Sequence, residues 1–357
     1  MVIVWNNKTI YRERRFVHRM FHLHLFLAIL DDRLIAKIIV IKIIIKVKSA
    51  MLVKNFYIPA IYNVTIVVSC FVMPAAFLLT AEKLMAQPYL DIVTVKATIS
   101  PDAGSGQSSK VPVQYTQYIA GALYPIKLKD SSKIIIGLYN EGWNFKARDI
   151  DGISNELQGL LIPLGFIKPL PGKWSIAATI IPRWNGEAGN LFTNSFQLGG
   201  SLIAACKKTK DLTFRVGAYY NSEFFGPFII PLVGIDWQIT KKDNLFGLLP
   251  QLLTYEHKVT NKFYWGAVYR MYNNTYRTGN YDANSSPAFI RINEMQLLLS
   301  ADLYLAKKLV LNIEAGHSVF RKIRMGNDDA KKHYYQADAV NNGFVFKAGL
   351  LYRVRLR

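Results

Sequence analysis

The stretch 343–357 alternates strictly between apolar and polar positions. It reads GFVFKAGLLYRVRLR, with apolar side chains from Phe344 to Leu356 at one parity and Lys347, Arg353 and Arg355 at the other. Because successive side chains of a β-strand point to opposite faces, this pattern predicts a strand with one apolar face and one wet face. A soluble strand usually has about five or six residues, whereas a strand that crosses a bilayer needs roughly 9–11. The length therefore favours a transmembrane β-strand.

The same period of two recurs through residues 87–357, and no part of that region keeps a helical period. The clearest alternating segments are 93–99, 173–180, 195–206, 212–220, 263–272 and 294–305. Tyr, Trp and Phe recur near the ends of these segments, where outer-membrane barrels carry their aromatic girdles. A soluble β-sandwich would instead show shorter strands, with turn signals every 8–12 residues or so. We therefore expect an all-β fold, a single antiparallel transmembrane β-barrel.

The connections fit an outer-membrane barrel, in which short periplasmic turns alternate with longer outer loops. Short charged turns are predicted at 127–133, 169–173, 207–211, 240–243, 260–262 and 306–308, and longer polar stretches at 100–110, 140–152, 185–194, 222–227, 273–287 and 325–342. The turns at 240 and 260 have no long loop between them, so the chain must reverse near Pro250 if both turns lie on the periplasmic side. Counting that reversal gives fourteen strands. Twelve remain if it is only a bulge and 155–166 is irregular.

The first 86 residues differ from the rest. Lysines interrupt the Ile-rich run 38–48, and each charge at a bilayer centre costs about 2.5–3.5 kcal/mol, so this run is a poor transmembrane helix. We predict that 1–50 is a non-native or disordered extension. Met51 then opens a typical secretory signal, with Lys54, an uncharged stretch and a cleavage site near Ala86. We expect a signal peptide at 51–86 and the barrel at 87–357. The length of the uncharged stretch leaves an uncleaved inner-membrane helix as the alternative.

Composition narrows the function further. The formal charge of +20 suggests nucleic acid, but the basic residues are spread over turns and wet strand faces, so we exclude a nucleic-acid partner. The two cysteines, Cys70 and Cys206, provide no disulfide framework. No His, Cys or carboxylate cluster has the spacing of a metal site, and we expect neither a metal nor a cofactor.

Charges of both signs fall on the wet parity of the predicted strands. This mixture fits two structures. The charges form a plug of ion pairs, or they line a narrow pore that the surplus of basic residues would make selective for anions. No catalytic residue is expected, because the adjacent His317 and Ser318 fall on opposite faces and a base must lie within about 2.6–3.2 Å of its nucleophile. The candidate lumen-lining residues are Arg183, Arg215, Arg270, Glu294, Asp302, Glu314, Lys347 and Arg353.

Four segments carry a resemblance to a known family. They are NSEFFGP at 221–227, PLVGIDW at 231–237, NLFGLLP at 244–250 and LNIEAGHS at 311–318. On these segments the chain resembles an uncharacterised bacterial outer-membrane β-barrel family, domain-of-unknown-function family 6268, over residues 87–357. The resemblance implies a location in the outer membrane of a Gram-negative bacterium, and it brings no assigned activity.

The expected function is that of an outer-membrane barrel with a structural or passive-transport role. Its expected partners are outer-membrane lipids and the barrel-assembly machinery, with small solutes as cargo if the lumen opens. Two alternatives stay open: a lipid-modifying hydrolase, and a surface-binding barrel that acts through the loop 325–342.

Overall fold

A computed structural model of the protein describes residues 88–101, 113–147, 156–279, 288–328 and 336–356. The predicted extension at 1–50 and the predicted signal peptide at 51–86 lie outside these ranges. Regular structure within them consists of β-strands. No helix in the described ranges has the length and apolar character needed to cross a bilayer.

The described residues form sixteen strands. They are β1 (Tyr89–Ser100), β2 (Val113–Lys127), β3 (Lys133–Ala147), β4 (Glu156–Leu161), β5 (Leu164–Pro169), β6 (Trp174–Glu187), β7 (Phe196–Lys207), β8 (Leu212–Glu223), β9 (Gly226–Gln238), β10 (Asp243–Leu249), β11 (Leu252–Lys258), β12 (Phe263–Thr278), β13 (Ala288–Tyr304), β14 (Leu309–Asn327), β15 (Gln336–Ala339) and β16 (Phe344–Arg355).

These strands close into one antiparallel barrel with fourteen strand positions. Each strand pairs with its neighbours, and β16 closes the wall by pairing with β1 from Tyr89↔Arg355 to Ile99↔Phe346. The short strands β4 and β5 share one position between β3 and β6, while β15 adds only a short ladder to β14. The predicted all-β barrel is confirmed, at the upper of the two predicted strand counts.

The two uncertain points of the sequence pattern are resolved in favour of strands. The chain reverses between Leu249 and Leu252, so β10 and β11 form a hairpin of two seven-residue strands. The stretch 155–166 is not irregular, because β4 and β5 both pair with β3 and β6 and are interrupted only around Pro163. Both features add strand positions to the wall.

The outward face of the wall is an apolar belt. Leu299 is 67% exposed, Leu202 61% and Ile180 57%, although these side chains would be buried in a soluble protein. Aromatic side chains border the belt at both ends, with Trp174, Trp237 and Trp265 near the short turns and Phe196, Tyr220 and Phe344 near the opposite rim. This belt with two aromatic girdles is the surface that a bilayer covers in outer-membrane barrels.

The outer ends of β12, β13 and β14 extend beyond their neighbours and bend across the mouth of the barrel. We call residues 272–278, 288–294 and 321–327 the outer extension. Asn185 on β6 donates its Nδ2 proton to the carbonyl of Thr275 (3.1 Å), although β6 and β12 are separated by five other strands in the wall. The extension therefore reaches the opposite wall and covers the lumen.

Candidate functional site: the charged lumen

The structure places all eight candidate residues on the inner face of the wall, where each makes a polar contact with another inward side chain. A barrel of this strand number is wide, so long side chains have to meet if its interior is to be filled. The side chains of Glu294, Asp236 and Glu314 are at most 3% exposed, and those of Arg183 and Arg353 at most 5%. Charges at this burial require partners, because an isolated buried ion loses its hydration without compensation.

Two arginines of β16 make most of the polar contacts in the part of the lumen that lies nearest the short turns. Arg353 donates from Nε to Asp91 (2.6 Å) and from Nη1 to Asp302 (2.6 Å), and its guanidinium lies 3.5 Å from the centre of the Tyr89 ring. Arg355 pairs with Glu256 on β11. A planar guanidinium can donate hydrogen bonds to two carboxylates and stack on an aromatic ring at the same time. A lysine ammonium lacks this planar, multiply donating geometry. These contacts connect β16 to β1, β13 and β11 through the lumen.

Glu314 stands at the centre of the next part of the lumen. Its carboxylate accepts hydrogen bonds from Arg270 on β12 (2.6 Å) and from Lys96 on β1 (2.7 Å). Each donor lies two wall positions away from β14, on opposite sides of it. Lys347 on β16 donates to the hydroxyl of Tyr272 (2.9 Å) beside this group. On the other wall, Arg215 and Asp236 form a further pair at 2.6 Å.

The uppermost charges form two separate groups. In the first, Glu294 accepts from Arg321 (2.9 Å), from the hydroxyl of Tyr115 (3.0 Å) and from Gln296 (3.1 Å). In the second, Arg183 donates to Glu223 (2.6 Å), and this carboxylate also accepts from Gln197, Asn221 and Thr275. Tyr115 and Thr275 belong to strands far from their partners in the wall, so both groups span the lumen.

Above these charges the lumen is filled by an apolar cluster. Its ring contacts include a stacked pair, Trp143 and Phe145, with 5.7 Å between centres, and Trp143 donates its indole proton to the hydroxyl of Tyr276 (2.9 Å). We call the cluster the outer cluster; it consists of Val113, Tyr115, Trp143, Phe145, Leu157, Tyr276, Ile290, Ile292, Ile323, Met325 and Val340, all at most 5% exposed. The ion pairs below it, taken together, are called the ion-pair network.

The basic surplus of the sequence lies mainly outside the lumen. The network is close to neutral, because Glu314 pairs with two cations, Arg353 pairs with two carboxylates, and the remaining pairs join one basic and one acidic side chain. Lysines occur instead in each of the six turns predicted as periplasmic: Lys129, Lys173, Lys208, Lys210, Lys241, Lys242, Lys262, Lys307 and Lys308. The mouth bordered by these turns is therefore the strongly basic end of the described barrel.

Histidine and serine do not form a catalytic pair in the part of the chain that the structure describes. The Nδ1 atom of His317 lies 2.6 Å from the carbonyl oxygen of Ser318, while Ser318 turns inward and its Oγ accepts the backbone proton of Gly343 (2.9 Å). His257 is paired with Asp243 (2.7 Å) near a short turn. His333 lies outside the described residues. Over those same ranges, no three His, Cys, Asp or Glu side chains are grouped to hold a metal ion.

Several residues that complete the network were not among the candidates. Lys96 and Glu223 sit at the predicted wet parity, so alternation alone could have added them. Asp91 and Arg321 could not be found in this way. β-bulges at Ile92 and Val319 each insert one residue, so the alternation on one side of the bulge is out of step with that on the other.

Comparison with solved structures finds other outer-membrane barrels. An outer-membrane channel from Pseudomonas putida F1 aligns with 76% of this chain and 99% of its own, with a TM-score of 0.40 and 9% identity. The NanC porin aligns with 73% of this chain and 100% of its own (TM-score 0.34, 8% identity), and LpxR from Salmonella typhimurium with 73% and 99% (TM-score 0.31, 6% identity). Comparison with curated proteins finds no match. At these identities the similarity extends to the fold alone.

The closed wall and its apolar belt are those of an integral protein of the outer membrane. A family profile described as "Domain of unknown function (DUF6268)" matches residues 129–353, which is more than half of the chain. All four segments that carried the resemblance fall inside this match. The chain therefore belongs to the DUF6268 family.

Proposed function

We propose that this protein is a passive outer-membrane barrel whose lumen is closed at rest by the ion-pair network and the outer cluster in series. The position of Glu314 carries the proposal. Its carboxylate is 3% exposed and is shared by Arg270 and Lys96, so charges that would face water in an open pore face each other. Opposite charges in contact leave little of the uniform field that draws ions through a selective pore.

The outer cluster supports the same proposal by a different physical route. Its side chains meet across the mouth, and a narrow apolar constriction stops ions because water leaves it. A solute can then pass only if both the ion-pair network and the outer cluster open. If neither opens, the barrel has a structural role. The proposal assigns no catalytic residue, and we expect phospholipid turnover to be unchanged by Ser318→Ala.

Conductance in a planar bilayer tests the proposal with four forms of the purified barrel. Arg270→Gln with Glu314→Gln removes a cation and an anion together from the ion-pair network, and Trp143→Ala with Tyr276→Ala weakens the outer cluster. We expect the wild type and each double variant to stay closed, and the four-residue combination to conduct. The matched control removes two lipid-facing aromatic residues, Trp174 and Phe214, and should remain closed.

Two outcomes contradict the proposal in different ways. Steady current through the wild type would mean that the network is a pore lining and not a barrier. The four-residue variant is a folded barrel if it still shows heat modifiability on gels. If such a folded variant does not conduct, the result would contradict a transport role and support a structural role.

A further inference from the structure

The lumen is packed unevenly around the wall. On β13 and β16 the inward residues are mostly buried, and Val268, Leu298 and Val345 meet in an apolar contact in which each is at most 5% exposed. On β5, β6 and β8 most inward residues are instead partly exposed. These side chains point away from lipid, so their exposure comes from space inside the barrel that other side chains do not fill.

The strand register shows which residues line this space. Gly165, Thr179 and Ser201 form one row across β5, β6 and β7, and Ala177 lies beside Ile203 in the next row toward the short turns. A barrel with fourteen strand positions is wide, and side chains this small reach only a short way into it. We call the space that they leave the recess. Its small lining residues, all partly exposed, are Gly165, Ser175, Ala177, Thr179, Ser201 and Gly217.

The recess is closed at its outer end and continues to the short turns at the other. Along β6 the inward residues change from partly exposed to buried at Arg183, which pairs with Glu223. Thr275 of the outer extension lies across this pair and accepts a hydrogen bond from Gln197 (2.8 Å). In the opposite direction the partly exposed inward positions continue to Ser175, the second residue of β6. The recess is therefore a dead end that opens at the mouth bordered by the short turns.

The charges along the recess are mainly positive. Lys127 and Lys207 are the last residues of β2 and β7, and both are exposed at inward parity beside the opening. Further in, the side chain of Arg215 is 18% exposed, whereas that of its partner Asp236 is fully buried. On β5–β8, which the structure describes throughout, no inward residue between the short turns and Arg183 is acidic. A recess with low-dielectric walls and one sign of charge concentrates solutes of the opposite sign.

We propose that the recess binds small organic anions that enter from the mouth bordered by the short turns. The anionic group lies near Arg215, and the body of the solute contacts Ile203 and the small residues of the two rows. Such a mixture of apolar lining and a few polar groups is typical of small-molecule sites. The inference goes beyond the proposed function, because binding in the recess does not require the ion-pair network or the outer cluster to open.

Cysteine accessibility in the purified full-length protein tests whether the recess is open. Both native cysteines are replaced by serine, and Ala177→Cys or Ser201→Cys then places one thiol in the recess. The probe is the anionic reagent 2-sulfonatoethyl methanethiosulfonate, and mass spectrometry measures the rate of adduct formation in detergent micelles. We expect both thiols to react about tenfold faster than two controls, because a thiol must be accessible to react. The controls are Leu298→Cys on the packed side of the lumen and Leu202→Cys on the lipid face of β7.

The preference for anions is tested by a second reagent of opposite charge. The cationic reagent is 2-(trimethylammonium)ethyl methanethiosulfonate, and each rate is divided by the rate with free cysteine. At Ser201→Cys we expect the anionic reagent to be favoured about tenfold. Lys127→Gln with Lys207→Gln should reduce this preference several-fold. Lys307→Gln with Lys308→Gln removes the same charge from the turn between β13 and β14, away from the recess, and should leave the preference unchanged.

Binding of a solute is tested by protection of the thiol at Ser201→Cys against the neutral reagent methyl methanethiosulfonate. Hexanoate is the probe, and hexylammonium at the same concentration is its matched control. We expect hexanoate to slow the modification several-fold and hexylammonium to leave it unchanged. Heat modifiability on gels checks that each variant is a closed barrel.

Three results would overturn the inference. Thiols at Ala177→Cys and Ser201→Cys that react as slowly as the thiol at Leu298→Cys would show that the recess is not open to water. Equal normalised rates for the two charged reagents would remove the preference for anions, and equal effects of hexanoate and hexylammonium would remove anion binding. Conductance of the wild type would contradict the proposed closure of the lumen alone, since none of these comparisons depends on it.

Discussion

The inner and outer halves of the lumen are filled by different chemistry. Toward the short turns, Arg353 and Glu314 are each shared by two partners of opposite charge, and most contacts join strands a few wall positions apart. Toward the outer rim, Trp143 and Tyr276 meet from opposite walls within the outer cluster. Ion pairs demand particular geometry and leave a costly charge when one partner is lost, whereas apolar contacts adapt and lose stability in proportion to the space vacated. The two halves should therefore fail differently when altered.

The largest effect is expected from Glu314→Ala in the inner half. It leaves Arg270 and Lys96 without the carboxylate that they share, and we expect the free energy of unfolding to fall by about 3 kcal/mol. Urea unfolding followed by the gel shift of the folded barrel measures it. Asp328→Ala is the matched control. The Asp328 side chain is 42% exposed, so its ion pair with Arg277 should contribute less than about 1 kcal/mol to stability. Equal losses in the two variants would contradict the comparison.

A smaller loss is expected from Leu157→Ala in the outer cluster. Leu157 is 1% exposed, and its truncation leaves a cavity that the neighbouring rings fill only in part, so we expect a loss of about 2 kcal/mol. Leu297→Ala, on the lipid face, should cost less because lipid tails occupy the vacated space. The same urea titration compares the two. A loss as large in Leu297→Ala would mean that the outer cluster is not packed as a core.

The smallest effect concerns the contact that joins the outer extension to the β8–β9 hairpin. Phe224→Leu keeps an apolar side chain but removes the ring beneath the guanidinium of Arg277, an interaction of about 0.5–1 kcal/mol. We expect faster protease cleavage at the 224–226 turn, with little change in global unfolding. Unchanged cleavage would show that other contacts hold this hairpin in place.

Alternation in the sequence was sufficient to predict the wall of the barrel, because one residue in two must face lipid along every strand. It also placed Arg270 and Glu314 on the same face without any knowledge of pairing. The prediction of which residues point inward fails beyond each β-bulge. The partners of β13 pass from Phe320 to Ser318, so Val319 is the extra residue and Arg321 points inward against the parity of Glu314.

The outer cluster was beyond sequence reasoning for another reason. An apolar side chain at the rim of a barrel strand has the same pattern whether it faces lipid or a closed lumen, so Ile290 and Met325 carry no distinguishing signal. Their location depends on the bend of the outer extension across the mouth, and that bend depends on contacts such as Asn185 with Thr275, between strands far apart in the sequence. The candidate charged residues could be predicted from the sequence, because a charged side chain in a membrane-spanning strand is excluded from the lipid face.

The ladder between β1 and β16 has a consequence for how the barrel is made. It joins the first and last strands of the wall, with Tyr89 opposite Arg355, so a chain that lacks its last strand has two exposed edges. Such edges readily add strands from other chains. Biosynthesis therefore has to keep the growing polypeptide from premature association until the final strand is present, and closure is the step with the greatest sequence separation and the largest loop entropy to overcome.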